Sequence, residues 1–284
     1  MSIRTVMIVG AGQMGSGIAQ VMAQAGIAVK LHDLDKAIVN KGLAGIEKNL
    51  VRSVEKGRIN SDQKNGIMTL IAPAPSLDEA AGCDVIVEAV VENRQVKAKI
   101  FAELDGICPA HTILASNTSS VPITEIAAAT KRPGQVIGMH FANPVPVMKL
   151  VEVIRGLDTD DTTCQAVVDL ALRMQKTPVQ VRDVPGFVSN RVLQVMINEA
   201  IYSLYEGVAD VEGIDTVMKL GMNHPMGPLE LADLIGLDTV LSILEVMYEG
   251  YSDSKYRPCP LLRQYVAAGR LGRKSGRGFY TYPV

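Results

Sequence analysis

A glycine-rich motif near the start of the chain constrains the fold more than any other sequence feature. Gly10, Gly12 and Gly15 form the pattern G-x-G-x-x-G, between the β-branched run Thr5–Val9 and the helix-like stretch Ser16–Ala25. In this strand–turn–helix context the glycines allow a tight turn, close approach of the backbone to a pyrophosphate, and close packing of helix on sheet. The free N–H groups at the helix N-terminus hold the anion. The motif predicts a Rossmann-type dinucleotide site.

An acidic residue at the end of the second predicted strand indicates which dinucleotide is bound. Asp33 follows the run Ala28–His32 and lies 18 residues after Gly15, close to the usual spacing of about 20. A carboxylate there accepts hydrogen bonds from both ribose hydroxyls of NAD and repels the 2′-phosphate of NADP. Lys36 and His32 flank Asp33 and keep NADP possible. The sequence therefore predicts NAD as the cofactor, with these residues in contact: Gly10, Gly12, Gln13, Met14, Gly15 and Asp33.

Strand-like and helix-like segments alternate through the first part of the chain. Helix-like stretches at Asn93–Ile107 and Thr163–Gln175 separate apolar runs. Continuous apolar strands that alternate with helices are typical of a mostly parallel sheet covered on both faces. Besides the two runs above, the predicted strands are Asp84–Val90, Thr112–Ala115, Gln135–His140, Lys149–Ile154 and Pro178–Arg182.

The pattern changes to helices alone after Val184-Pro185-Gly186, since proline and glycine interrupt regular structure. A long helix is predicted over Phe187–Tyr205, with shorter ones near Val211–Leu220, Pro228–Met247 and Pro260–Ala268. The predicted fold class is α/β. A Rossmann-type, mostly parallel sheet domain spans residues 1–184, and a smaller all-α domain spans residues 185–284.

Composition excludes several functional classes. The chain has 284 residues, 28 Lys and Arg against 30 Asp and Glu, and a net charge of −2, so a generally basic nucleic-acid binder is not expected. No apolar run reaches the length of a membrane span, and no cleaved leader is expected. The four cysteines are scattered without a C-x-x-C pair, which predicts no metal site and suits a reducing cytoplasm.

Two basic clusters stand out against this nearly neutral chain. Lys48, Arg52 and Lys56 have the i, i+4, i+8 spacing that places them on one helix face. That face is either simply solvated or a landing site for a phosphorylated substrate. The C-terminal residues 255–284 hold seven basic and no acidic residues. This end is either solvated or in contact with an acidic ligand or a neighbouring subunit.

Histidine is scarce, and His140 has the most suggestive position among the four. It ends an apolar strand and precedes Phe141-Ala142-Asn143-Pro144. Strand ends at the cleft of a doubly wound fold are where chemistry occurs. A lone histidine is more often a structural residue than a catalytic one, so both interpretations stay open on position alone.

Several motifs in order along almost the whole chain resemble the L-3-hydroxyacyl-CoA dehydrogenases, in particular the bacterial, stand-alone 3-hydroxybutyryl-CoA branch. Taken together in register, these motifs are far more specific than any one of them. They are Gly10–Ala19, Ala115–Ser120, Gly138–Lys149, Asp183–Arg191, His224–Pro228 and Leu271–Tyr280.

The resemblance implies a reaction and roles for matching residues. The reaction is the reversible NAD-dependent oxidation of a short-chain (S)-3-hydroxyacyl-CoA, within fatty acid metabolism, by a homodimer built through the C-terminal domain. His140 is implied to be the general base, Glu152 to orient it, and Ser119 and Asn190 to hydrogen-bond the substrate oxygen. Residues implied to lie near the cofactor are Glu92, Lys97, Asn117 and Asn143, and those implied to meet the coenzyme A phosphates are Arg52 and Lys56.

Three other functions remain as alternatives. A dehydrogenase of the 3-hydroxyisobutyrate type would use a lysine on the interdomain helix, and the chain has no lysine between Lys176 and Lys219. An L-gulonate-type dehydrogenase would not need the basic helix face. A dinucleotide-binding protein without catalysis would not need Ser119, His140, Glu152 and Asn190.

Overall fold

The computed structural model describes residues 3–283, and the chain divides between Asp183 and Val184 into two compact units. The N-terminal unit is a sheet flanked by helices. Its strands are β1 (Thr5–Val9), β2 (Ala28–His32), β3 (Ile71–Pro73), β4 (Val85–Glu88), β5 (Ile113–Ser116), β6 (Val136–Phe141), β7 (Leu150–Arg155) and β8 (Thr177–Arg182). Its α-helices are α1 (Gln13–Gln24), α2 (Lys36–Glu55), α3 (Ser61–Thr69), α4 (Arg94–Ile107), α5 (Ile123–Ala127) and α6 (Asp161–Arg173).

The eight strands form one sheet in the order β3-β2-β1-β4-β5-β6-β7-β8. Every neighbouring pair is parallel except β6 with β7, which is antiparallel. The predicted Rossmann-type, mostly parallel sheet is therefore confirmed. Strand β1 lies between β2 and β4, so the strand order reverses there and opens a crevice at the carboxyl ends of β1 and β4, where such folds bind ligands.

Strand β3 escaped the sequence prediction because it has little of the pattern that marks a strand. It is three residues long, and Ala72 and Pro73 are exposed. The central strands carry the clear signal, since every residue of β4 and β5 is buried. Helix α1 buries Ile18 and Met22 completely against this sheet, which fixes the glycine-rich turn at the N-terminus of α1.

The second unit is helical, as predicted. Its α-helices are α7 (Ser189–Tyr205), α8 (Val211–Gly221), α9 (Pro228–Ile235), α10 (Leu237–Tyr251) and α11 (Pro260–Ala267). The prediction of one helix over Pro228–Met247 is wrong, because Gly236 adopts a φ of +102° that breaks α9 from α10. No helix within residues 3–283 combines the length and apolar character that a membrane crossing requires.

Two buried aspartates organise the core of the helical unit. Asp215 lies in α8 with 1% of its surface exposed, and its carboxylate accepts hydrogen bonds from the backbone N–H groups of Leu229 and Glu230 at the start of α9. The Tyr280 hydroxyl donates to the same carboxylate at 2.9 Å. Asp215 therefore acts as the anion at the positive end of α9 and ties the C-terminal segment to it.

Asp233, on α9, holds the C-terminal segment from its other side. Its carboxylate accepts from the backbone N–H groups of Phe279 and Tyr280 and from the Tyr282 hydroxyl. Burial raises the pKa of the Asp233 carboxyl, and the nearby charge of Asp215 adds to that rise against the hydrogen bonds. The motif Leu271–Tyr280 therefore has a structural role, because its last residues donate hydrogen bonds to two buried carboxylates.

The basic C-terminal end has acidic partners within its own unit. Ion pairs join Arg263 to Glu245, Arg273 to Glu230 and Lys274 to Asp238. Other basic groups lie over tyrosine rings, among them Arg270 over Tyr265 and Arg257 over Tyr202. Part of the positive charge that the sequence concentrates in this end is therefore neutralised by helices α9 and α10.

Candidate active site

The glycine-rich turn is shaped to receive a pyrophosphate. Gly10 has a φ of +105°, and a Cβ there would lie 2.5 Å from the carbonyl oxygen of Ala89. A Cβ on Gly15 would lie 1.7 Å from the carbonyl oxygen of Gly10. Gly12, by contrast, faces open space, with no atom within 4 Å of its Cβ position. The chain thus leaves room for a ligand in front of Gly12, at the N-terminus of α1.

The ribose side of the site is formed by the end of β2. The Asp33 carboxylate accepts a hydrogen bond from the Ala11 N–H at 2.8 Å, which holds it beside the glycine turn. His32 is buried, with Nδ1 2.9 Å from the Ala74 carbonyl oxygen. Its ring is therefore engaged with the backbone. With an acidic group at the ribose position and open space in front of Gly12, these residues fit NAD.

A hydrogen-bonded line of three side chains lies at the junction of β6 and β7. His140 and Glu152 face each other as partners in the antiparallel pairing of these strands. The His140 Nδ1 atom is 2.8 Å from the Glu152 carboxylate, and its Nε2 atom is 3.1 Å from the Ser119 hydroxyl oxygen. The His140 side chain is 14% exposed and that of Glu152 is 2% exposed. The imidazole edge therefore reaches solvent while its carboxylate partner does not.

The line of contacts determines the tautomer of neutral His140. A carboxylate only accepts hydrogen bonds, so the nitrogen facing Glu152 carries the ring proton. Nε2 is then left as an acceptor, which receives a hydrogen bond from the Ser119 hydroxyl. An imidazole with this arrangement can take a proton at Nε2 from an alcohol in place of Ser119, and the nearby Glu152 carboxylate stabilises the imidazolium that forms.

The loop that carries Ser119 is fixed by Glu92. One carboxylate oxygen of Glu92 accepts from the backbone N–H groups of Ser119 and Ser120 and from the hydroxyls of Thr118 and Ser120, at 2.6 to 2.9 Å. Burial raises the pKa of the Glu92 carboxyl. The Lys97 ammonium and these hydroxyl groups together lower it by more than burial raises it, so the pKa lies below its usual range. Glu92 is thus held as an anion that orders the turn.

Behind this turn lies a buried ion cluster. The Lys97 ammonium is 2.8 and 3.0 Å from the two carboxylate oxygens of Glu88 and 3.1 Å from Glu92. Side-chain exposure is 1% for Lys97 and 0% for Glu88. Glu88 also accepts from the Ser116 hydroxyl at 2.6 Å and from the Val90 N–H at 2.7 Å. Lys97, predicted to lie near the cofactor, contacts the carboxylate oxygen of Glu92 that does not hold the Ser119 N–H.

The remaining predicted site residues lie in several places. The Asn117 side chain accepts from the Phe141 N–H at 2.9 Å, and that of Asn143 accepts from Gln13 at 3.2 Å. Met14 packs against the core beside the turn. Asn190 lies in α7 of the helical unit and is 9% exposed. Arg52 is in the last turn of α2 and Lys56 is its C-cap, and both are exposed, as is Lys48.

Sequence reasoning missed Glu88, Thr118 and Ser120 as parts of the site. A signal for Glu88 was present, since a carboxylate at the end of the wholly apolar run Val85–Val87 is costly unless it is paired. Its partner could not be read from the sequence, because the run does not indicate which cation reaches it. Thr118 and Ser120 lie in a loop whose contacts with Glu92 are set by tertiary structure.

Comparisons with known proteins match both units. Residues 5–184 match the NAD binding domain of 3-hydroxyacyl-CoA dehydrogenase, and residues 186–282 match the C-terminal domain of the same enzyme. The chain belongs to the 3-hydroxyacyl-CoA dehydrogenase family. Its membership and an NAD-binding first domain, both predicted from the sequence, are confirmed.

Several relatives are similar over their whole length. A Bacillus subtilis protein named "Probable 3-hydroxybutyryl-CoA dehydrogenase" is 61% identical over 282 residues, 99% of this chain and 98% of the relative. A 3-hydroxybutyryl-CoA dehydrogenase of Bradyrhizobium diazoefficiens is 53% identical, covering 99% of this chain and 96% of the relative. The crystal structure of (S)-3-hydroxybutyryl-CoA dehydrogenase from Ralstonia eutropha superposes with a TM-score of 0.98 at 51% identity and covers 100% of both chains.

Proposed function

We propose that the protein catalyses the reversible oxidation of (S)-3-hydroxybutyryl-CoA to acetoacetyl-CoA with NAD. The observation that carries the proposal is the line Ser119–His140–Glu152 in a family member whose glycine turn and Asp33 fit NAD. When bound, NAD would supply the acceptor for the hydride from the substrate's C3, and NADH would supply the hydride for the reverse direction. The protein must then move one proton and orient the reacting oxygen.

His140 is the group that moves the proton. In oxidation its Nε2 atom takes the proton of the 3-hydroxyl group as the hydride leaves C3, and in reduction it returns that proton to the carbonyl oxygen. Glu152 keeps the ring proton on Nδ1 and supports the positive charge that the ring gains. Because Glu152 is buried, water screens this support weakly.

Ser119 and Asn190 orient the substrate oxygen. The Ser119 hydroxyl already lies within hydrogen-bond distance of Nε2, so an oxygen close to both groups would be held beside the base. Asn190 adds an amide donor from the helical unit, as the family resemblance implies. Donors aimed at the oxygen stabilise the negative charge that develops there. In this division of labour residues 1–184 bind the cofactor and residues 185–284 supply substrate contacts and the subunit interface.

The activity has a direct test with acetoacetyl-CoA and NADH, followed by loss of the NADH absorbance band. We expect turnover with NADH to exceed that with NADPH, because Asp33 repels a 2′-phosphate. L-gulonate with NAD and 3-hydroxyisobutyrate with NAD test the two alternative dehydrogenase functions. Absence of turnover with acetoacetyl-CoA and either cofactor would overturn the proposal.

The basic face of α2 is the proposed contact for the coenzyme A phosphates. Lys48, Arg52 and Lys56 are exposed, and within residues 3–283 none of them takes part in an ion pair. Unneutralised cations on one helix face are suited to a phosphorylated ligand. Arg52→Ala with Lys56→Ala should raise KM for acetoacetyl-CoA about tenfold, roughly the loss of one or two charged hydrogen bonds.

A substrate without phosphates separates this role from a general effect. The KM for a short acetoacetyl thioester that lacks the nucleotide should change little in the Arg52/Lys56 double variant. Lys99→Ala with Lys131→Ala removes two exposed lysines elsewhere in the same unit and should leave both KM values unchanged. An equal rise of KM for both substrates would favour the merely solvated helix face.

The helical unit is the proposed dimer interface. Large apolar side chains are exposed on its helices, among them Val192 at 65%, Val217 at 61% and Leu220 at 83%. Exposed apolar surface of this kind marks association sites. Light scattering coupled to gel filtration should give twice the chain mass. Val192→Asp with Leu220→Asp should shift the mass toward that of one chain, and an unchanged mass would place the interface elsewhere.

A further inference from the structure

We infer that Glu88 is a positioning residue for Ser119, acting through Lys97 and Glu92. This inference rests on the proposed function for its kinetic consequence, and on geometry alone for its effect on the loop. Glu88 ends β4 at the crevice edge of the sheet and pairs in register with Ser116 of β5. The Ser119 loop begins directly after that strand.

The connection is a continuous series of short contacts. Glu88 holds the Lys97 ammonium with both carboxylate oxygens, at 2.8 and 3.0 Å. Lys97 in turn holds one oxygen of Glu92 at 3.1 Å. The other oxygen of Glu92 accepts from the Ser119 N–H at 2.9 Å, and the Ser119 hydroxyl lies 3.1 Å from His140.

Charge explains why this cluster needs Glu88. Lys97 is buried, and a buried cation is stable only when it is well paired. With a carboxylate on each side, the Lys97 ammonium is attracted to Glu88 as well as to Glu92, so its net attraction toward Glu92 is reduced. Without the Glu88 charge, Lys97 moves fully toward Glu92 and competes with the backbone N–H groups of Ser119 and Ser120 for that carboxylate. The turn then loses its fixed geometry.

Glu88 also holds the start of the same loop directly. Its carboxylate accepts from the Ser116 hydroxyl, and its backbone carbonyl accepts from the Asn117 N–H at 2.8 Å. The Ser116 hydroxyl oxygen in turn accepts from the Thr118 N–H at 3.1 Å. Both ends of the turn that presents Ser119 are therefore connected to the buried Glu88 carboxylate, one through the Ser116 hydroxyl and the other through Lys97 and Glu92.

The test is a double-mutant cycle between Glu88→Gln and Ser119→Ala. Glu88→Gln keeps the side-chain shape, and we expect it to lower kcat for acetoacetyl-CoA about tenfold, the size of a small misplacement of a reacting group. In the Ser119→Ala background the same change should lower kcat less than about twofold, because the group it positions is gone. An equal factor in both backgrounds, or an unchanged kcat, would overturn the inference.

A second measurement does not depend on activity. Amide hydrogen exchange of the protein without cofactor should be faster over residues 117–121 in Glu88→Gln than in the wild type. Asp84→Asn is the matched control, since Asp84 precedes the same strand and accepts from the Arg4 and Thr5 N–H groups at its opposite end. It should leave both the loop exchange and kcat unchanged.

These readouts separate the inference from the proposed function. A wild type without turnover on acetoacetyl-CoA refutes the proposed function, while the exchange experiment still decides whether Glu88 orders the loop. If Glu88→Gln does not fold, Lys97→Met in both Ser119 backgrounds replaces it in the cycle. Exchange over residues 117–121 that is the same in wild type and variant would refute the positioning role.

Discussion

Each unit of the molecule buries carboxylates, and the two sets are used in opposite ways. In the N-terminal unit the buried Glu88 and the 38% exposed Glu92 share a buried cation, and the buried Glu152 supports His140, whose side chain is 14% exposed. In the helical unit Asp215 and Asp233 are surrounded by backbone N–H groups and tyrosine hydroxyls of their own unit. We call the first the outward-leading set, because its contacts run to the reacting groups. The second is the inward-leading set, because its contacts run to the C-terminal segment of the chain.

The difference shows that a buried charge does not by itself indicate a function. Asp233 has all the marks of a perturbed acid, including 1% exposure and a raised pKa. The groups that donate hydrogen bonds to Asp233 belong to the C-terminal segment, so this carboxylate holds that segment in place. Glu152 is similarly buried, but its partner His140 is 14% exposed and lies 3.1 Å from the Ser119 hydroxyl oxygen. The two roles are distinguished by the groups that the first hydrogen-bond partner itself contacts. Four experiments test this distinction.

The largest effect should come from the outward-leading set. We expect His140→Ala to lower kcat about a thousandfold, because general acid–base catalysis of this kind contributes between about a hundredfold and ten-thousandfold. NADH affinity and thermal stability should change little. His111→Ala is the matched control, since this histidine of the same unit is 58% exposed and precedes the amino end of β5, whereas His140 lies near the carboxyl end of β6. Wild-type kcat in His140→Ala would remove the assignment of the base.

The inward-leading set should affect stability instead. Asp233→Ala leaves the N–H groups of Phe279 and Tyr280 and the Tyr282 hydroxyl without their acceptor. We expect the free energy of unfolding to fall by about 3 kcal/mol, measured in urea, with kcat of the folded variant near the wild-type value. Asp253→Ala, an exposed cap of one short turn, should cost less than about 1 kcal/mol. Equal losses would contradict the role given to Asp233.

The pH dependence of stability should have opposite signs in the two units. The lowered pKa of Glu92 means that its stabilisation is present above the ordinary carboxyl pKa and is lost as pH falls through the lower folded value. The raised pKa of Asp233 means that folding favours its protonated form, so stability falls as pH rises through the interval above the ordinary aspartate pKa.

Two neutral variants measure these signs. As pH rises toward about 4.5, the stability of the wild type relative to Glu92→Gln should rise and then level off. Its stability relative to Asp233→Asn should fall as pH rises above about 4. Urea unfolding at several pH values gives both differences. The same sign for both variants would show that the two carboxylates are not in electrostatically opposite settings.

The smallest effect should come from the surface charges of the helical unit. Arg273 and Glu230 form an ion pair at 2.9 Å, with side chains 40% and 32% exposed. A double-mutant cycle with alanine at both positions should give a coupling energy below about 1 kcal/mol. High salt should reduce it further. A coupling as large as the Asp233 effect would mean that the basic C-terminal end is a main source of stability.

Local pattern predicted much of the fold and the less specific part of the site. Alternating apolar strands and helices gave the sheet, and the glycine turn with Asp33 gave the cofactor. Sequence could not predict that Gly236 breaks a long helical pattern, since its positive φ depends on packing at that point. Nor could it predict the three-residue β3, because so short and exposed a strand has no periodicity to detect.

The C-terminal basic cluster illustrates a pattern that stayed open until its partners were known. Residues 255–284 contain seven basic residues and no acidic residue. A solvated end was the simplest interpretation of that pattern, and contact with an acidic ligand or a neighbouring subunit was the alternative. Glu230, Asp238 and Glu245 lie on helices that fold back against this end, and their identity as partners depends on packing over tens of residues.

The two-part organisation, the cofactor turn and a histidine at a strand end could be predicted from the sequence, because they depend on residues that are close in the chain. The surroundings of that histidine depend on contacts between distant segments. The antiparallel return of β7 places Glu152 opposite His140, and Glu92 reaches Ser119 across 27 positions. Such contacts depend on strand register and on the burial of charges, and neither can be read from the order of residues.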